Sequence, residues 1–393
     1  MIPALRRQFN QSFTPQKYQA LLTAMDARVG CHVKYRQAET PCFFPLALLN
    51  TLAASGQELM EQLLANPEYP AASTATIPEE FRVPNEPPRP LFVQADFGLT
   101  EDLQPKLVEI QGFPSLYGYQ PVLARQYLET YSLDPSLRYF YGDLDDARYR
   151  ELLGRAILDG HDPENVILME IDPERQKTLP DFKATEQLLG IRSVCITKLR
   201  KQGRKLFYER DGRLVPVHRI YNRVIVDELV RLGVKAPFDW REDLDVEWAG
   251  HPNWFFRLSK FSIPYFKHRS VPRTSFLSDV AYLPHDLDNY VLKPLFSFAG
   301  LGVIIGPTRE QVESIAADQR HQYILQERVN FAPLIDTPQG PAKAEIRVMY
   351  IWLDQLIPTS TIIRMGRGKM MGVDHNRNME WVGASAALYP RKD

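Results

Sequence analysis

The chain of 393 residues exceeds the length at which a single hydrophobic core stops growing, so two or more packed units are expected. Hydrophobic residues make up 44% and aromatic residues 11%, which predicts a folded chain rather than a disordered one. The formal net charge of -1 gives no global field that would attract nucleic acid or anionic lipid. We therefore predict no nucleic-acid and no membrane partner, and any basic site must be local.

The cysteines point to a reducing compartment. Cys31, Cys42 and Cys195 lie at wide and unequal spacings, which match neither a disulfide framework nor a zinc motif. The sequence also shows no signal-peptide pattern and no long apolar span. A cytoplasmic location is the expectation that follows.

Helical periodicity dominates the first part of the chain. Apolar residues recur at helical spacing through 15–65, and Pro15 suits the first position of a helix. The stretch 67–90 is rich in proline and predicts an extended surface crossing or a linker. We therefore treat 1–90 as an N-terminal helical segment followed by a proline-rich crossing.

Two strands are predicted next, "PLFVQADFGL" and "PKLVEIQGF", joined by the polar turn "TEDLQ". Glu109 and Gln111 share one face of the second strand, and a hairpin would bring Asp96 across from them. Two carboxylates and an amide oxygen form a shell that Mg²⁺ accepts when phosphate completes it. A solvated hairpin face is the alternative interpretation.

From about Asn165 the pattern alternates between strand and helix, as "NVILMEI", "FKATEQLLG" and "IRSVCIT". Gly190 is placed to end the helix. The pair Asp211-Gly212 lies between two strand-like runs and predicts a hairpin. A small α/β unit over 161–250 is therefore expected.

Lys293 stands inside an apolar, strand-like run, "NYVLKPLFSFAGLGVIIG". A buried lysine needs a carboxylate or an anionic ligand. The small residues Ser297, Gly300 and Gly302 follow it, and such a turn lets backbone N–H groups approach phosphate. A lysine that reaches solvent from an edge strand, with an ordinary hairpin turn behind it, is the alternative.

Two later strands carry polar residues in useful places. "YILQERV" puts Gln326 and Glu327 where the backbone leaving a sheet can meet an adenine edge, although a structural edge strand would look similar. "AEIRVMYIWL" puts Glu345 and Arg347 on one face, because they are two residues apart. A cross-strand ion pair at the surface is the alternative for that second pattern.

Taken in chain order, these motifs resemble the ATP-grasp ligases, in the circularly permuted branch that includes the synthetase domain of glutathionylspermidine synthase. In that branch the metal motif precedes the nucleotide lysines. The corresponding stretches here are "QADF", "VEIQGFPS", "IYNR", "LSK", "LKPLFSFAGLG" and "YILQERV". The resemblance covers most of the chain, from about Phe9 onward.

The resemblance implies an α/β (α+β) fold, namely a circularly permuted ATP-grasp fold with a pre-ATP-grasp unit at 161–250. The metal-motif part would be 91–160 and the nucleotide-binding part 251–393. It implies an ATP-dependent carboxylate-amine ligase that forms a C–N bond through an acyl phosphate. Its substrates would be a small-molecule carboxylate and an amine, with ATP and Mg²⁺ as cofactors.

The resemblance also implies roles for individual residues. The metal ligands would be Asp96, Glu109 and Gln111. The nucleotide would be held by a lysine pair, the glycine turn and the hinge strand: Lys260, Lys293, Ser297, Gly300, Gly302, Gln326, Glu327 and Val329. The acyl phosphate would be steadied by Arg347, Arg364 and Arg367, because guanidinium forks match phosphate oxygens.

Two positions depart from the family pattern. Gln94 stands where the family has an arginine, and Gln111 stands where it has an asparagine. The first departure concerns the acyl-donor chemistry, and both departures leave open a catalytically inactive nucleotide-binding protein. A phosphotransferase on the same fold is a further alternative. Neither the acid, the amine nor the oligomeric state follows from the sequence.

Overall fold

The computed structural model describes residues 1–296 and 300–391. Within these residues the α-helices are Pro3–Ser12 (α1), Pro15–Val29 (α2), Leu46–Ala65 (α3), Tyr69–Thr74 (α4), Tyr119–Thr130 (α5), Asp146–Ile157 (α6), Leu179–Leu189 (α7), Val226–Arg231 (α8), Asn253–Arg257 (α9) and Arg309–Glu313 (α10).

The strands of the same residues are Cys42–Phe43 (β1), Phe92–Leu99 (β2), Pro105–Gln111 (β3), Val166–Glu170 (β4), Arg192–Cys195 (β5), Arg200–Gln202 (β6), Lys205–Arg210 (β7), Arg213–Val217 (β8), Arg219–Asn222 (β9), Glu247–Ala249 (β10), Thr274–Phe276 (β11), Tyr290–Pro294 (β12), Ile304–Ile305 (β13), Tyr323–Glu327 (β14), Lys343–Trp352 (β15), Leu356–Gly366 (β16) and Gly383–Leu388 (β17). Helices and several separate sheets therefore coexist, as the predicted α+β class requires.

The largest sheet has six strands in the order β1-β17-β16-β15-β2-β3. The predicted hairpin of β2 and β3 is confirmed, and Asp96 lies directly opposite Glu109. Helix α3 packs against β15, where the hydroxyl of Tyr350 donates to the carbonyl of Ala53 at 2.9 Å. One face of this sheet is therefore buried in the hydrophobic core.

A second sheet, β10-β9-β4-β5, is parallel throughout and lies in the predicted small α/β unit. Helix α7 precedes β5 and ends at Gly190, whose φ of 78° is the left-handed conformation that glycine adopts without strain. The predicted hairpin at Asp211-Gly212 joins β7 to β8. The boundaries at 90, 160 and 250 stay predictions.

The third sheet, β11-β14-β12-β13, is small and antiparallel. It carries Lys293 on β12 and Gln326 on β14. Val291 pairs with Gln326, so Lys293, two residues further along β12, lies on the same face as that glutamine. This sheet therefore presents both polar side chains toward β3 of the large sheet.

The proline-rich stretch is more structured than an extended crossing. It contains α4, in which Pro70 occupies the first turn, where a missing N–H costs little. Tyr69 anchors this helix, since it is buried and its hydroxyl lies 2.7 Å from that of Ser262. No helix in the described part of the chain is both long enough and apolar enough to span a membrane.

Candidate functional site

Four adjacent strands of the large sheet place charged side chains on one face. Glu345 on β15 pairs in register with Arg364 on β16, and Arg347 on β15 pairs with Asp96 on β2. Asp96 pairs in turn with Glu109 on β3. Residues directly opposite each other point to the same side of an antiparallel sheet, so these five form one surface, which we call the charged face.

Asp96 is at the centre of the charged face and is 2% exposed. The guanidinium of Arg347 binds it in a fork, with Nε 2.5 Å from Oδ1 and Nη2 2.7 Å from Oδ2. Arg364 donates a further hydrogen bond to Oδ2 and also contacts a carboxylate oxygen of Glu345. Both oxygens of Asp96 are therefore occupied by arginine donors.

The pKa values of the two carboxylates move in opposite directions. Burial would raise the pKa of Asp96, but Arg347 and Arg364 together hold it below the usual range. Burial raises the pKa of Glu345, and the single contact with Arg364 does not fully offset this. Asp96 is therefore the firmly ionised member of the pair.

Gln94, one of the two departures from the family pattern, is completely buried and hydrogen-bonded at both ends. Its Oε1 accepts from Arg347 at 3.1 Å and from Gln111 at 2.7 Å, while its Nε2 donates to the carbonyl of Ser115 at 2.7 Å. A guanidinium is thus present beside position 94, but β15 supplies it. The sequence alone does not show this because Arg347 is far from Gln94 along the chain.

Lys260 approaches the charged face from a 3-10 helix, Lys260–Tyr265. Its Nζ lies 3.0 Å from a carboxylate oxygen of Glu109, and it is 5% exposed. Gly112 permits this approach, since a Cβ there would lie 2.8 Å from the carbonyl oxygen of Trp254. Burial would raise the pKa of Glu109, but Lys260 holds it below the usual range.

Lys293 crosses from the small sheet to the large one. Its Nζ donates to the carbonyl of Val108 at 2.8 Å and to Oε1 of Gln326 at 2.6 Å. It forms no ion pair within residues 1–296 and 300–391 and is 7% exposed. Burial lowers the pKa of this lysine to about 8, because neither neutral acceptor compensates fully for lost water.

Gln326 completes this pair of polar groups. It is 1% exposed, and its Nε2 finds no acceptor in the described part of the chain. A buried amide N–H without a partner costs about 1–3 kcal/mol, so an acceptor brought by a ligand would stabilise it. Lys293 and Gln326 therefore place an ammonium group and an amide donor side by side, a combination that suits an anionic or polar ligand.

The predicted hinge strand lies alongside. Glu327 donates its N–H to the carbonyl of Arg273 at 2.8 Å. Val329 and Phe331 pack over Gly98, where an added Cβ would come within 2.8 Å of Val329 and 2.7 Å of Phe331. The chain leaving β14 is therefore held against β2, beside the charged face.

Within the glycine turn, Ser297 lies outside the described residues. Gly300 and Gly302 have φ values of 78° and 73°, which favour glycine. A Cβ at Gly300 would lie 3.3 Å from Cε of Met370, so the turn meets the loop after β16. That loop is held by Asn376, which is 1% exposed.

Arg367 does not join the charged face. Its guanidinium donates to the carbonyl of Glu380 at 2.6 Å and to the hydroxyl of Thr337 at 2.8 Å. It ties two loops together, and its predicted contact with an acyl phosphate has no counterpart in this arrangement. Arg347 and Arg364 are the predicted arginines that the structure brings to Asp96.

The predicted metal ligands do not fit a divalent cation as they are arranged. Asp96 is covered by guanidinium groups, Glu109 is paired with Lys260, and Gln111 turns its Nε2 toward Gln94 and toward the carbonyl of Phe113. Within the described ranges, no group of three or more acidic, histidine or cysteine side chains is arranged to hold a metal ion. The sequence predicted Arg347 and Arg364 for the site, but it does not show that strand pairing places them on Asp96.

Sequence reasoning assigned no role to Glu345 and did not foresee the side-chain contact of Gln326. Glu345 acts as a third carboxylate, and its position two residues before Arg347 was the available signal. Gln326 was expected near adenine through its backbone, yet its side chain binds Lys293. Lys293 and Gln326 lie diagonally opposite each other on β12 and β14, and this placement depends on how the two strands pair.

Comparisons with known proteins support the fold. No protein-family model matches the chain, and no curated protein matches it. Among solved structures, it is similar to a glutathione synthetase-like effector from Globodera pallida in its apo form, at 13% identity and a TM-score of 0.55. The match covers 96% of this chain and 98% of the other, so it shows a related α+β fold over nearly the whole length.

Proposed function

We propose that the protein is an ATP-dependent carboxylate-amine ligase with a circularly permuted ATP-grasp fold. ATP would bind between the small antiparallel sheet and the charged face of the large sheet. The similarity to a glutathione synthetase-like protein supports a ligase-type fold, and the order of the sequence motifs supports the permuted branch. The acid and amine would be small molecules.

One observation carries the proposal. Lys293 is buried and forms no ion pair within the described part of the chain, and the Nε2 of Gln326 beside it has no acceptor there. A phosphate group satisfies both needs, since it is an anion with several acceptor oxygens. Lys293 lies on β12, the strand that precedes the glycine turn, whose backbone N–H groups would also reach phosphate.

The other proposed nucleotide contacts lie in the same place, between the small sheet and the charged face. Lys260 lies within reach of Glu109 and would turn part of its charge to the phosphates. Gly300 and Gly302 would let the turn close over the phosphates, while Glu327 and Val329 would border the purine and ribose. Each role rests on placement beside Lys293.

Arg347 and Arg364 differ in what they can offer to an acyl phosphate. All three guanidinium nitrogens of Arg347 are bonded to Asp96 or Gln94, so it positions Asp96. The side chain of Arg364 is 25% exposed, and its Nε has no acceptor in the described residues. Arg364 is therefore the better candidate to contact the reacting phosphate.

The reaction would proceed in two balanced steps. A carboxylate oxygen attacks the γ-phosphorus of ATP, which forms an acyl phosphate and releases ADP. The amine then attacks the acyl carbon, forms the C–N bond, expels phosphate and loses a proton. The protein would orient the reactants and stabilise phosphate charge with its lysines and arginines.

An ADP-release assay screened against amino acids and polyamines tests the proposal. ADP release that requires both an acid and an amine, with one amide product per ADP, is the expected result. A phosphorylated alcohol or amine product would instead show phosphotransfer. Absence of ADP release with every acid-amine pair in the screen would refute the ligase assignment.

A second candidate, a nucleotide-binding protein without turnover, is favoured by one feature. Asp96 has both oxygens occupied by Arg347 and Arg364, so the carboxylate that the resemblance assigns to Mg²⁺ is already neutralised. Saturable ATP binding without ADP release in the assay above would select this candidate.

A further inference from the structure

We infer that the guanidinium groups of Arg347 and Arg364 take the place of a divalent cation on the charged face. The face then holds no metal of its own, and the nucleotide binds the cleft without Mg²⁺. The first statement stands on the side-chain contacts alone. The second rests on the proposed function, because it requires that ATP binds here.

The contacts of Asp96 carry the first step. Arg347 covers both oxygens in a planar fork, and Arg364 adds a donor to Oδ2. Such bidentate, charge-assisted contacts are among the strongest hydrogen bonds in proteins, and arginine remains charged in them. A metal ion at Asp96 would have to displace the buried guanidinium of Arg347, which forms no ion pair with another carboxylate in the described residues.

The remaining oxygen donors are engaged as well. Glu345 contacts Arg364, and Glu109 lies 3.0 Å from Lys260. Gln111 turns its amide nitrogen to Gln94 at 2.7 Å, so its nitrogen side faces the interior of the group. The oxygen shell that a divalent cation requires is therefore broken up by cations of the chain itself.

The charge balance points the same way. Three carboxylates on this face, Asp96, Glu109 and Glu345, are met by two arginines and by Lys260, with Lys293 close by. A divalent ion would add positive charge where basic groups already match the acidic ones. Coulomb repulsion at such short range is strong in a partly buried site.

If no metal binds, side chains of the protein must neutralise the phosphates of ATP. Mg²⁺ usually bridges phosphate oxygens in sites of this kind. Here Lys293, Lys260 and the partly exposed Arg364 are fixed to the protein and directed to the same cleft. Their charge is present before the ligand arrives, so affinity for free ATP does not depend on a metal.

Metal binding alone tests the first statement. Mn²⁺ is titrated into the full chain, and free Mn²⁺ is measured by electron paramagnetic resonance. The wild-type protein is expected to take up no stoichiometric Mn²⁺. Uptake of one Mn²⁺ that is lost in Asp96→Asn would overturn the inference, whether or not ATP binds.

A double variant, Arg347→Gln with Arg364→Gln, tests the replacement itself. Without the guanidiniums, Asp96 and Glu345 regain free oxygens beside Glu109, so the folded variant should take up one Mn²⁺. Arg367→Gln is the matched control, since its guanidinium contacts none of these carboxylates, and it should remain without Mn²⁺. A folded double variant without Mn²⁺ uptake would contradict the idea, and the wild-type titration decides if the variant fails to fold.

The nucleotide statement is tested by calorimetric titration of ATP in EDTA and again in excess Mg²⁺. The two dissociation constants are expected to agree within about twofold, which is less than 0.5 kcal/mol. Binding that is about tenfold or more tighter with Mg²⁺ would overturn the inference and leave the proposed nucleotide site intact. No ATP binding under either condition would refute the proposed function and the nucleotide statement, while the Mn²⁺ result would still stand.

Discussion

The large sheet and the small sheet meet where Lys293 donates to the carbonyl of Val108, and we call them the first and the second wall of the proposed site. The two walls treat buried charge differently. On the large sheet, Asp96 is bound by two guanidiniums, and its pKa is held low. On the small sheet, Lys293 donates to two neutral acceptors and forms no ion pair within residues 1–296 and 300–391, and burial lowers its pKa to about 8. Asp96 on the first wall is fully paired within the fold, so it contributes to stability, whereas Lys293 on the second wall forms no ion pair in the described residues and is suited to bind an anion.

The largest effect is expected from a variant that removes an ion pair of Asp96 on the first wall. Arg347→Gln should lower the free energy of unfolding by about 3–5 kcal/mol, because it leaves Asp96 with one fewer charged partner in a buried site. Urea denaturation followed by circular dichroism measures this. Arg28→Gln, which breaks the more exposed pair with Glu129, should cost only about 0–1 kcal/mol. Equal losses in the two variants would contradict the comparison.

The next effect concerns Lys293 on the second wall. Lys293→Ala should weaken ATP binding roughly 10- to 100-fold, since a hydrogen bond to a charged group contributes about 1.5–3 kcal/mol. Isothermal titration calorimetry gives the affinity. Lys106→Ala removes the same charge from the exposed part of β3 and should leave the affinity nearly unchanged. Unchanged affinity in Lys293→Ala would count against the site as a whole.

A third variant gives Lys293 on the second wall a charged partner from the protein itself. Gln326→Glu gives Lys293 a carboxylate partner, so it should raise the pKa of the lysine and the melting temperature. ATP affinity should fall by about tenfold or more, because the new carboxylate repels phosphate and the amide donor is gone. Calorimetry and a thermal melt read the two changes. If ATP affinity instead rose together with the melting temperature, Lys293 would not be a binding group for an anionic ligand.

The smallest effect comes from pH. Because the pKa of Lys293 is about 8 in the folded protein, raising the pH from 7 to 9 removes its charge, and ATP affinity should fall by up to about tenfold. The pH dependence should be largely absent in Lys293→Ala. The unfolded lysine, with a pKa near 10.5, holds its proton longer, so this group makes the free energy of unfolding rise with pH between about 8 and 10.5.

Local patterns were sufficient for part of this account. The polar turn between two apolar runs predicted the hairpin of β2 and β3, and period-two alternation then placed Asp96 opposite Glu109. The run around Lys293 predicted β12, and Gly190 predicted the end of α7. In each case the determining residues are close together in the chain.

The cross-strand contacts could not be predicted from the sequence, and the reason is physical. Arg347 and Asp96 meet because β15 inserts between β16 and β2, a strand order that no local pattern specifies. Lys293 and Gln326 are brought together by the pairing of β12 with β14. The sequence therefore predicted a set of acidic and basic residues for the site, but not which of them neutralise one another.

The most direct test of the nucleotide cleft is a crystal structure determined with a non-hydrolysable ATP analogue. The account predicts triphosphate density between the two sheets, with phosphate oxygens in hydrogen-bond contact with Nζ of Lys293 and Nε2 of Gln326. Nucleotide bound elsewhere, or a cleft in which Lys293 keeps Val108 and Gln326 as its only partners at saturating analogue, would contradict it.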